Sequence, residues 1–102
     1  MITLADLKTA FADYRYYYGS APIGTKLPYL VAQSTDTENF SADNKVFSKK
    51  SEMVLEFYTK SKNESQEEGI ETILDSLGLF WDKAETRDED GEFFLIIYSF
   101  WR

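Results

Sequence analysis

Nothing in this chain restricts its fold more than the run Phe93-Phe94-Leu95-Ile96-Ile97-Tyr98-Ser99-Phe100-Trp101. The run carries no charge, consists almost wholly of aromatic and β-branched or other apolar residues, and follows Asp90-Gly91. Such residues fit a pleated strand better than a helix, and Asp-Gly is a turn signal. With a period of two, Phe94, Ile96, Tyr98 and Phe100 share one face, and Phe93, Leu95, Ile97 and Trp101 the other. Two apolar faces predict a central strand covered on both sides, by helices or by a partner subunit.

Around that strand the elements can be placed in chain order. Residues 3–18 are expected to form an amphipathic helix: Thr3 caps it, Asp6 favours its positive end, and Leu4, Leu7, Phe11, Tyr14 and Tyr18 make one stripe. Gly19 would end it. Residues 28–33 are expected as the first strand and Ser34–Asn44 as a polar loop holding a lone Phe40. Lys45–Lys49 and Glu52–Thr59 read as a hairpin turning at Lys50-Ser51, with Met53, Leu55 and Phe57 on one face. Ser65-Gln66-Glu67-Glu68 fits a capping box, opening a helix through Ile70, Ile73, Leu74 and Leu77 to Gly78. Its acids are accounted for by the helix dipole and read as a solvated face. Leu79–Glu85 is a fourth strand, and residues 86–91 turn the chain into the final one. The expected order is α-β-β-β-α-β-β, an α+β two-layer sandwich on a mainly antiparallel sheet, with residues 1–102 as one domain.

Composition narrows the chemistry. There is no cysteine and no histidine, which removes disulfides, thiolate ligands and nucleophiles, and the usual general base. The glycines are scattered, so no phosphate-cradling loop is present. Asp88-Glu89-Asp90-Gly91-Glu92 has Asp-x-Asp-Gly in common with a calcium loop but lacks the later ligands, and Asn63-Glu64-Ser65 matches the glycosylation pattern without a secretion signal before it. No catalytic residue, cofactor or metal is expected. No run approaches the ~20 apolar residues of a membrane helix. A net charge of −7 argues against direct nucleic-acid binding, because phosphate contacts need clustered Lys and Arg. The charge is uneven: residues 64–75 hold five acids and no base, whereas 27–63 balance five acids with five lysines. Two Trp, seven Tyr and eight Phe supply unusual apolar area for a core or a subunit interface.

Leu27-Pro28-Tyr29-Leu30-Val31, Asn39-Phe40-Ser41-Ala42-Asp43-Asn44 and Leu55-Glu56-Phe57-Tyr58-Thr59 are followed by an acid-rich helix, a Trp-bearing strand and Tyr98-Ser99-Phe100. In that order, over nearly the whole length, the chain resembles the small tail-completion proteins of long-tailed bacteriophages and prophages, in particular the tail-terminator type. The resemblance implies an α+β subunit and a homo-oligomeric ring, usually a hexamer. Such a ring caps the tube of major tail protein, stops its growth and presents a docking surface for a head-completion or connector protein. It places the protein in the virion, at the head–tail interface, after assembly in the host cytoplasm. Another neck component, a monomeric acidic protein-binding module and a small carboxylate hydrolase are the alternatives. A closed ring of copies needs two different matching patches on each subunit. The candidates are Tyr16 and Tyr17, the loop carrying Phe40, Asp43 and Asn44, and a Lys49-Lys50 turn facing an acidic helix of the neighbour.

Overall fold

Apolar residues at every second position of two strands decide where the core lies. A computed structural model of the chain describes residues 2–42 and 45–102, with backbone alone for 36–42 and 45–51. The elements are α1 (Leu4–Ala10), β1 (Tyr16–Tyr18), β2 (Tyr29–Ala42), β3 (Lys45–Thr59), α2 (Glu64–Ser76), β4 (Trp81–Arg87) and β5 (Phe94–Trp101). They build an α+β domain on a five-stranded mixed sheet ordered β1-β2-β3-β5-β4, with β1 parallel to β2 and the other pairs antiparallel.

The uncharged run is the interior strand β5, flanked by β3 and β4. Its Ile96, Tyr98 and Phe100 are buried and align with Phe57, Leu55 and Met53 of β3. Leu30 and Ala32 of β2 extend that face, and Leu7 and Phe11 with Ile70 and Leu74 of α2 close over it. Both helices therefore cover one face. The opposite face is only partly shielded: Leu95, Ile97 and Ser99 are half-buried and Trp101 is 40% exposed.

Three expectations are corrected. The first helix ends at Ala10 rather than at residue 18, and Tyr16–Tyr18 form a strand. The Thr3–Asp6 capping box is present, with Asp6 N donating to Thr3 Oγ1 at 3.1 Å and Thr3 N to Asp6 Oδ2 at 2.8 Å. Beyond Phe11 the tyrosines satisfy β propensity by pairing with β2, Leu30 N donating to Arg15 O and Gly19 N to Ala32 O. Alternation then sends Tyr16 under the helices, stacked on Phe11 at 6.0 Å, and Tyr17 to the open face against Tyr29 at 6.4 Å.

The second correction concerns Ser34–Asn44. Residues through Ala42 continue β2, and only Asp43 and Asn44 of that expected loop lie outside the described residues. The third is the expected turn at Lys50-Ser51, which is the interior of the single strand β3; Lys50 aligns with Glu38 and Lys49 with Asn39. Backbone pairing with β2 runs straight through Lys49, Lys50 and Ser51. The α-β-β-β-α-β-β order is matched in letters, with β1 in place of the strand lost by this fusion.

At α2 the cap is Asn63, whose Oδ1 accepts from Gln66 N at 3.1 Å, and not Ser65. Asn63→Ala should therefore cost about 1 kcal/mol, while Ser65→Ala should change stability by a few tenths at most. Urea unfolding of the two variants checks this; a larger loss from Ser65→Ala would restore the capping box to Ser65. The helix closes at Gly78, whose φ of +73° is the left-handed conformation that suits glycine.

Candidate functional site

Two surface features stand out from this architecture: an arm and an open sheet face. Residues of β3 from Glu52 to Thr59 have β5 as a neighbour, but from Lys45 to Ser51 the strand pairs with β2 alone. β1 aligns with β2 only through Ala32. The outer halves of β2 and β3 thus project as a two-stranded ribbon with both edges unpaired among the described residues. At about 3.3 Å per residue, Lys45–Ser51 reaches about 23 Å beyond the body. The molecule measures 51 × 28 × 23 Å, and its radius of gyration of 15.1 Å exceeds the roughly 13 Å of a compact chain this long.

The open face is built by the strand positions that alternate with the core. A row of rings crosses it: Tyr17 packs edge-on to Tyr29, Tyr29 stacks on Tyr58 at 4.8 Å, and Tyr58 meets Phe93 at 5.4 Å. Val54, Leu95 and Ile97 continue the apolar area around a buried Val31, and Trp101 stands beside Glu52 at the root of the arm. The charged strand positions here are Glu52, Glu56 and Asp82, aligned with Trp101, Ile97 and Ser99 respectively; none is Lys or Arg. Gln33 Nε2 donates to Glu56 Oε1 at 2.8 Å. Burial, then the neighbouring Glu56 carboxylate and Tyr29, push the Tyr58 hydroxyl up to about 12, so it stays protonated as a donor.

Among the described residues, the helix-covered side carries a cluster of paired charges. Glu67, expected on a solvated face, is 2% exposed. Its Oε1 lies 2.8 Å from Lys83 Nζ and its Oε2 3.0 Å from Lys62 Nζ. Lys83 also donates to Glu71 Oε2 at 2.8 Å, Lys62 donates to Glu85, and the buried Tyr98 hydroxyl donates to Glu71 Oε2 at 2.8 Å. Burial raises the Glu67 pKa, but Lys83 and Lys62 together outweigh it and leave the carboxyl below its usual range. Hydrogen bonds to Glu85 and Glu67 raise Lys62 to about 12. Burial acts on Tyr98 in the same direction as Glu71, so its hydroxyl is held protonated. Each carboxylate is matched by a lysine or a hydroxyl, which makes this a tie between α2, β4 and β5. Among the described residues no group of three acids is placed to hold a metal ion.

A groove of about 580 Å³ runs between the Tyr14-Arg15 segment, the start of β2 and the start of α2. Its guanidinium is engaged, Arg15 Nη1 donating to Lys26 O at 2.8 Å. Of the residues singled out as contacts, Tyr17 belongs to the open face, whereas Tyr16 packs against the core. Phe40 lies in the β2 half of the arm and Lys49 and Lys50 in its β3 half, so the arm gathers three candidates. Asp43 and Asn44 fall outside the described residues. The Tyr29–Tyr58–Phe93 row escaped sequence reasoning; its members open β2, stand next to last in β3 and immediately precede β5, and only the fold brings these three places together. Comparison of the chain with protein-family models and with curated proteins yields no match.

Proposed function

We propose that the chain is a structural assembly protein of a long phage tail. Copies close into a ring on the end of the tail tube, stop its polymerisation and leave a surface on which a head-completion or connector protein docks. The observation that carries this reading is the presence, on one subunit, of a projecting β arm and an open aromatic sheet face. These are two different patches, and a closed head-to-tail ring requires two. The order of segments along the chain, from Leu27-Pro28-Tyr29 to Tyr98-Ser99-Phe100, supports the same assignment. The role asks for shape and charge and for no titrating nucleophile. Partners under this reading are further copies of the chain, the major tube protein and the connector, and the site of action is the virion's head–tail joint.

The test is to add purified protein to polymerising tail-tube subunits and measure tube lengths by electron microscopy. Stoichiometric protein should shorten the length distribution and leave density on one end of each tube. Tubes of unchanged length with bare ends would overturn the assignment.

A further inference from the structure

The sheet ends at β4, whose outer edge is unpaired among the described residues. The strand runs from Trp81 to Arg87 in unbroken register with β5, contains neither proline nor glycine, and is exposed at positions 82–87. A free edge invites a further strand, and proteins commonly blunt it by shortness, bulges, proline or lysine. The opposite edge, β1, is three residues long. β4 has a lysine, but Lys83 is neutralised by Glu67 and Glu71, each 2.8 Å away.

The edge sequence, Trp81-Asp82-Lys83-Ala84-Glu85-Thr86-Arg87, is complementary to its own reverse. Set antiparallel against a second copy about Ala84, it opposes Lys83 to Glu85, Glu85 to Lys83, Asp82 to Thr86 and Trp81 to Arg87. Side chains so opposed come within about 4.5–5.5 Å, where opposite charges stabilise a ladder and like charges weaken it. Opposed residues must share a face, so the two-fold axis can move only from one residue to the next. Centred on Lys83 the ladder sets lysine against lysine, on Glu85 glutamate against glutamate, and on Asp82 aspartate against aspartate. Ala84 alone gives the full strand without a like-charge pair.

The flanking side chains fit that register. Arg87 lies over the Phe94 ring and has no ion pair among the described residues. In the pair it meets the Trp81 ring of the other copy, and beside that ring stands Asp75, which accepts from Trp81 Nε1 at 2.9 Å. Opposing the contact are Glu64 and Glu68, which line the cleft between α2 and Lys83, and the net charge of −7 on each copy. Those charges act across solvent, where salt at about 0.15 M screens them beyond about 8 Å, while the ladder pairs are in contact.

We infer that β4 pairs with β4 of a second copy about a two-fold axis through Ala84, joining two five-stranded sheets into one with both helical layers on the same side. The contact is isologous. It leaves the arm free and rests on neither the ring nor the tail assignment.

The experiment is sedimentation equilibrium, at about 0.15 M salt and up to millimolar protein, on the parent, Ala84→Glu and Ala84→Lys. Ala84 is exposed, so neither change enters the core, and circular dichroism verifies folding. The parent should dimerise. Each variant alone should dimerise about tenfold more weakly or worse, because two like charges meet on the axis. An equimolar mixture of the two should regain a one-to-one complex at least as tight as the parent dimer. A parent that stays monomeric at millimolar concentration overturns the inference. So does either variant associating as well as the parent, or a mixture no tighter than its components.

Discussion

Ile96→Asp yields protein without a cooperative unfolding transition. Ile96 is fully buried, on the strand that neighbours both β3 and β4, between Phe57 and Glu85 in register. Losing the isoleucine forfeits about 1.5–3 kcal/mol of apolar burial. The carboxylate then meets a wall of Leu55, Phe57, Ile70 and Leu74, where it must either remain charged without a partner or take up a proton. Together these costs consume most of the ~5–15 kcal/mol that holds a domain together. The neighbouring substitution is the control. Ile97 is half-buried on the open face, so Ile97→Asp places its carboxylate at the water boundary and loses part of one side chain's burial, roughly 1–2 kcal/mol. Glu56 directly across the ladder adds a small like-charge term. Ile97→Asp should therefore fold and unfold at lower urea. Circular dichroism with urea titration distinguishes the two, and a folded Ile96→Asp beside an unfolded Ile97→Asp would invert the assignment of faces.

That contrast also marks what could be read from the residues. Positions 53, 55 and 57 and positions 96, 98 and 100 alternate strictly, and burial follows the alternation. Local periodicity suffices where a strand has one covered face. It fails for the first helix, because Phe11, Tyr14 and Tyr18 keep a helical spacing although Tyr14 lies in the turn after the helix and Tyr18 in β1. A three-residue strand parallel to β2 has no local signature; it exists because residues far along the chain offer a free edge. The arm was hidden for the opposite reason. Thr35–Asn39 and Ser48–Ser51 show polarity without the apolar alternation that betrays a strand. Glu67 shows the same limit in electrostatics: an acid in the first turn of a helix reads as solvated until Lys62 and Lys83, from a preceding loop and a distant strand, arrive on it.

Those two lysines support the second large effect, one that fades as pH falls. In the parent the Glu67 pKa is depressed in the folded state, so its contribution is present above the unfolded value of about 4.3 and is lost as pH falls through the folded one. Lys62→Met/Lys83→Met removes both partners and keeps the alkyl packing. Burial alone then acts on Glu67, and its folded pKa lies above the unfolded one. A raised carboxyl favours folding at low pH and opposes it as pH rises through the folded value. The variant should be destabilised at pH 7 by roughly 2 kcal/mol, below the 3–5 typical of a broken buried pair, because the lysines are a third or more exposed. At pH 4 most of that difference should vanish, since the protonated Glu67 no longer needs the lysines. Placing Glu67→Gln in both backgrounds should shrink the pH-dependent part of the gap, because the amide does not titrate. Urea unfolding of the four proteins at pH 4 and pH 7 measures this. A gap between parent and double variant that is equal at the two pH values would mean that Glu67 is not held ionised by Lys62 and Lys83.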